Sequence, residues 1–93
     1  MKERYRVLGE TEQYILLYLI SIKEGVAVKE IYEEMKLSPN SVTQALNKLL
    51  NEGFLVEKRE EVFSRRKLIY LSEKGRKIAQ LLLQIQEIIK SNQ

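Results

Sequence analysis

Four residue types are missing from this 93-residue chain: cysteine, histidine, tryptophan and aspartate. All 13 acids are glutamates. Without cysteine there is no disulfide framework, no thiol nucleophile and no thiolate metal site. Without histidine there is no imidazole base and no zinc site of the usual types. Neither a Ser-His-Asp nor a Cys-His arrangement can be built. A glutamate pair, a lysine or a tyrosine could still do chemistry, but no motif supports either option. The chain is therefore not read as an enzyme, and no metal or cofactor is expected. Long apolar runs are missing too. The longest, Tyr14 to Ile20, is far short of the ~20 residues that span a bilayer. No apolar signal region follows the charged start Met1-Lys2-Glu3-Arg4. No membrane partner is expected, and the expected location is cytoplasmic.

What is present is an ordinary folded composition, with 44% hydrophobic and 31% charged residues. The length fits one domain, whose core is modest because a chain this short buries only about 60–65% of its unfolded surface. The net charge is +3. From Lys36 to Lys77 there are ten Lys/Arg against five Glu, while the remainder holds six against eight. A basic middle between acidic flanks suits an anionic partner.

The pattern along the chain divides it into three parts. Residues 1–10 form an arm, broken at Gly9. A helix is predicted from Thr11 to Lys23, with Thr11 as N-cap and Gly25 as C-cap. Val26-Ala27-Val28 reads as a short strand, and Lys29 to Met35 as a helix with Ile31, Tyr32 and Met35 on one face. Ser38-Pro39 is a strong helix start: serine caps, and proline stands where its missing N–H does no harm. That third helix runs to Glu52 and stops at Gly53. The period then changes to 2. Residues 54–58 and 67–71 read as two strands joined by a charged loop, Arg59 to Arg66. Ser72 caps a last helix over 73–91. The fold class is α+β, mainly α: a winged helix-turn-helix over 11–72, with a long C-terminal dimerisation helix over 73–93.

The third helix carries the functional signal. Val42, Ala45, Leu46, Leu49 and Leu50 form its core stripe. The opposite face holds Asn40, Ser41, Thr43, Gln44, Asn47 and Lys48, with no acid before Glu52. Short hydroxyl and amide groups hydrogen-bond phosphates and base edges, and an acid-free face is not repelled by DNA. Solvated capping residues would look similar, Ser38 and Asn40 above all. Arg65, Arg66 and Lys67, with Lys58 and Arg59, make the hairpin basic, which suits a backbone or minor-groove contact. An edge hairpin kept soluble by its charges is the plainer alternative. In the last helix Ile78, Leu81, Leu82, Ile85, Ile88 and Ile89 give an apolar surface wider than one stripe. Together with Tyr14 and Tyr18 of the first helix they are read as a homodimer interface.

Residues Leu37 to Gly53, with Val56 following, resemble the MarR family of winged-helix transcriptional regulators. Arg65 to Gly75 resembles that family's wing strand and the start of its next helix, with Ser72 where threonine is usual. PadR-like regulators share much of the pattern. Small archaeal and archaeal-virus regulators look similar in size, so a nucleoid-associated role, or the host cytoplasm for a viral protein, is within the resemblance. It implies a dimeric DNA-binding regulator, usually a repressor. It also implies that Ser38, Asn40, Ser41, Thr43, Gln44 and Lys48 lie on the recognition helix, with Arg65 or Arg66 as the wing arginine. The family usually has an Asp before that arginine; Phe63 or Ser64 stands there in this chain. The family also uses extra terminal helices to dimerise and to form an effector pocket, and their absence from this sequence argues against a small-molecule effector. The expected function is a sequence-specific double-stranded DNA-binding regulator, with helix 39–52 in the major groove and wing 58–67 on the backbone or minor groove. The alternative is a winged-helix protein-interaction module without DNA binding.

Overall fold

A computed structural model describes residues 8–60 and 66–91. The elements in chain order are α1 (Glu10–Ser21), β1 (Val26–Ala27), α2 (Val28–Met35), α3 (Pro39–Asn51), β2 (Leu55–Arg59), β3 (Lys67–Leu71) and α4 (Glu73–Ser91). This is the winged helix-turn-helix order, mainly helical, followed by one long helix.

The helix starts show how side chains set the boundaries. Helix α1 begins earlier than predicted, because Gly9 rather than Thr11 is the N-cap. The Glu12 carboxylate accepts the Gly9 N–H at 3.0 Å, which satisfies an amide that the helix itself leaves free. Helix α1 also ends earlier, at Ser21, with Ile22 as its C-cap. Gly25, the predicted cap, has another task. At φ 75° it turns the chain into the sheet, and its N–H reaches the Ile69 carbonyl at 2.8 Å. Val28 is the first residue of α2 and not a strand residue. Glu30 accepts the Ala27 N–H at 3.2 Å, so the helix is already capped at Ala27. The turn between α2 and α3 passes through Lys36, which is left-handed at φ 54°. Ser38 then caps α3 by accepting the Ser41 N–H at 3.1 Å.

The sheet has three antiparallel strands in the order β1-β3-β2. Val26 pairs with Ile69, and β2 pairs with β3 from Leu55–Leu71 to Arg59–Lys67. Phe54, predicted as the first residue of its strand, is instead a buried corner. Its N–H bonds the Leu49 carbonyl at 2.9 Å, and its carbonyl accepts from the Ser72 N–H at 3.1 Å. Helix α4 starts against this corner. Ser72 Oγ donates to the Gly53 carbonyl at 2.6 Å and accepts the Gly75 N–H at 3.0 Å. A Cβ at Gly75 would stand 1.9 Å from the Phe54 carbonyl oxygen, so only glycine lets the helix come this close.

The core joins Ile15, Leu16 and Leu19 of α1 to Ile31, Val42, Leu46, Leu49, Ile69 and Ala79. Helix α1 is fully covered along one face only. Its buried apolar residues are only these three, and Tyr14 is 48% exposed. Arg76 of α4 bonds both oxygens of Glu24 at 2.8 and 2.9 Å, and Glu24 also accepts the Leu71 N–H at 3.3 Å. One carboxylate thus ties the α1–β1 turn to the end of β3 and the first turns of α4. Among the described residues, no helix is long and apolar enough to cross a membrane.

Candidate nucleic-acid interface

Helix α3 buries Val42, Ala45, Leu46 and Leu49. Its 3.6 period therefore turns Asn40, Ser41, Gln44, Asn47 and Lys48 outward, and all five are exposed. Asn40, Gln44 and Asn47 make no side-chain bond to any described residue, so their amides are available. Ser38 and Ser41 bond each other, Oγ to Oγ, at 3.1 Å. Those two hydroxyls serve the cap first.

Thr43 and Lys48 stand differently from the prediction. Thr43 is half-buried, and its hydroxyl is hydrogen-bonded to the Tyr32 hydroxyl of α2. It sits on the flank of α3 toward α2, not on the open face. Lys48 lies 3.5 Å from Glu12 of α1, so its charge already has a partner. Neither link could be seen from helix periodicity, because each needs the docking of another helix.

The wing divides by strand alternation. Glu57, Arg59, Lys67 and Ile69 share the sheet face toward the core, and Lys58 shares the other face with Tyr70. Lys58 Nζ stands 5.0 Å from the Tyr70 ring centre, a cation–π contact on the face away from the core. Arg66 closes the neck of the hairpin. Its carbonyl accepts the Glu60 N–H at 2.7 Å, and its Nε donates to Glu60 Oε1 at 3.1 Å. That hydrogen bond and the Glu60 charge hold the Arg66 pKa above its ordinary value, so the group stays cationic. Arg66 is thus held by a glutamate from across the hairpin. Arg65, with Val62, Phe63 and Ser64, lies outside the described residues.

Between α2, α3 and β3 lies an open cleft of 510 Å³. Lys29, Tyr32, Thr43, Asn47, Arg66 and Lys67 stand around its edge, and Val28, Leu46, Leu50 and Ile69 line it with apolar surface. Lys29 and Tyr32 were not among the predicted site residues. They belong to α2, whose placement beside the wing no local pattern reveals. A second cleft of 420 Å³ lies between α1, the end of α3 and α4, with Glu12 and Lys48 at its edge.

The predicted dimer residues separate into two groups. Tyr14 is 48% exposed on α1, and Leu81, Ile85, Ile88 and Ile89 are 50–62% exposed on α4. Ile78, Leu82 and Tyr18 pack in part against the chain's own core. Burial, then the charges of Glu34 and Glu30 on α2, raise the Tyr18 pKa. Among the described residues, no group of three or more acidic side chains is placed to hold a metal ion.

The sequence profile of the F-93 winged-helix domain matches residues 14–75. This chain belongs to the F-93 winged-helix family. A Bacillus subtilis (strain 168) protein, YwhA, described as an uncharacterized HTH-type transcriptional regulator, is 36% identical to this F-93-family chain over 69 residues. That match covers 74% of the chain and 50% of YwhA, so the chain spans half the length of this curated relative. The crystal structure of SSV1 F-93 superposes with a TM-score of 0.70 at 29% identity, covering 95% of this chain and 98% of that one. A ZitR structure from Lactococcus lactis superposes with a TM-score of 0.82 at 29% identity, covering 91% of this chain and 63% of that one. ZitR is a MarR-family regulator, so the likeness to that family read from residues 37–75 holds for the fold as well.

Proposed function

We propose that this F-93-family chain is a sequence-specific, duplex-DNA-binding transcription regulator that acts as a homodimer. Helix α3 enters the major groove, and the wing rests on the backbone or minor groove. Transcription is blocked by occlusion of the site. The observation that carries this reading is the open face of α3. Asn40, Gln44 and Asn47 offer free amides there, no acid of α3 lies among them, and Asn47 shares a cleft with Lys67 and Arg66 of the hairpin. Amides of this kind can pair with adenine edges, and the cations beside them suit phosphates. The description of YwhA as a transcriptional regulator supports the same class.

The homodimer rests on α4. Leu81, Ile85, Ile88 and Ile89 follow a 4–3–1 spacing and are more than half uncovered, or nearly so. An apolar stripe of this kind is stable in water when a second copy covers it. A symmetric pair would present two α3 helices to half-sites about 34 Å apart. Selection of bound sites from random DNA tests the reading. It should return a palindromic site with one-turn spacing. Recovery of no preferred sequence would contradict sequence-specific regulation.

A further inference from the structure

The cleft between α2, α3 and β3 has the chemistry of a phosphate site. Lys29, in the first turn of α2, and Lys67, the first residue of β3, are on two of its walls. Both are exposed, and neither forms an ion pair with a described residue. Arg66 also lines the cleft, but its Nε is already held by Glu60. Glu57 is the one carboxylate of the lining. Tyr32 and Thr43 add two hydroxyls that share one hydrogen bond. A bond between two hydroxyls uses one of their two hydrogens, so the other is free to donate outward. The apolar surface between these groups suits the carbon face of a deoxyribose.

Position matters as much as composition. With α3 in a major groove and the wing on the neighbouring minor groove, one phosphodiester strand must pass between them. The cleft is the space between those two elements. We infer that it is the seat of that strand, with Lys29 and Lys67 as its two cations and the Tyr32–Thr43 pair as a donor to a phosphate oxygen. This rests on the DNA-binding reading and adds residues to it. Thr43 becomes a backbone contact and not a reader of bases, and Lys29 joins the interface from the helix before the turn.

The test is fluorescence anisotropy with the full chain and a labelled duplex of mixed sequence, at several salt concentrations. Each of Lys29→Gln and Lys67→Gln should weaken binding on every duplex. In a homodimer each substitution removes two cations, so each should make the log–log salt dependence shallower by about 1.8, and the double variant by about 3.6. Lys23→Gln, outside the cleft, should leave the slope as in the parent. Tyr32→Phe should weaken binding uniformly without changing base preference. Circular dichroism melting shows that each variant is folded. If the parent binds with a steep salt dependence and Lys29→Gln behaves like Lys23→Gln, the seat is wrong and the DNA reading stands. If the parent shows no salt-dependent binding, or only an acidic protein competes for the cleft lysines, both are overturned.

Discussion

Glu12 of α1 and Lys48 of α3 form an ion pair at 3.5 Å, and the same carboxylate accepts the Gly9 N–H. Glu12 is only 8% exposed, so one nearly buried acid both starts the first helix and restrains a cation of the proposed recognition helix. Glu12→Gln weakens the cap and removes the partner of Lys48. Stability in urea should fall by about 1 kcal/mol, the usual value of a cap. DNA binding should move the other way. A half-exposed pair is worth at most about 1 kcal/mol, so freeing Lys48 should tighten binding about threefold at fixed salt. Weaker binding by a folded Glu12→Gln protein would show that the pair aims Lys48 and does not hold it back.

Gly75 touches the Phe54 carbonyl, where a Cβ would stand 1.9 Å from the oxygen. Gly75→Ala must push α4 away from the corner or distort the corner itself. A loss of about 2–3 kcal/mol in denaturant unfolding is expected, at the upper end of overpacking costs. Gly53→Ala is the useful contrast. Its Cβ would meet nothing within 4 Å, and its cost comes from the left-handed backbone at φ 83°, about 1 kcal/mol.

Ile85 and Ile88 are 50% and 62% exposed on α4. Changing both to glutamate adds charge where the proposed second copy sits and removes little from the protomer core. Sedimentation should show a folded monomer in place of a dimer, and affinity for a palindromic site should fall more than affinity for a half-site. A parent protein that is monomeric at working concentration would remove the basis for this prediction and for the dimer.

Gln44 is exposed on α3, while Arg66 sits at the neck of the wing. Gln44→Ala should lose about 1–3 kcal/mol of discrimination at one base position and little on other sequences. Arg66→Ala should weaken binding on all sequences alike. Equal effects of the two on preference would contradict their division into base reader and backbone contact.

The helix starts at Ser38 and Ser72 and the stop near Gly53 were legible because each depends on a few neighbouring residues. Ser38 bonds the Ser41 N–H, and Ser72 bonds the Gly75 N–H, within one turn of chain. The α1 start was misread for a related reason. Thr11 is the better capping residue by type, but Glu12 folds back onto Gly9 and moves the cap. Val28 was misread because a two-residue strand and a helix start are too short to show a period. The outward face of α3 was legible from its buried stripe. What was not legible depends on docking. The Lys48–Glu12 and Thr43–Tyr32 links join separate helices, and the Arg66–Glu60 pair needs the hairpin register. Strand register also separates Lys58, which stacks on Tyr70, from Lys67, which reaches the cleft. In the sequence they were simply cations of one hairpin.

The most direct measurement is the affinity of the 93-residue chain for labelled duplex DNA as salt is varied. An acid-free α3 face beside unpaired Lys29 and Lys67 predicts that log affinity falls linearly with log salt. Each phosphate contact should contribute a slope of about 0.9, and a preferred sequence should survive as the nonspecific background weakens. Binding that is absent at low salt, or present and indifferent to salt, would contradict the account.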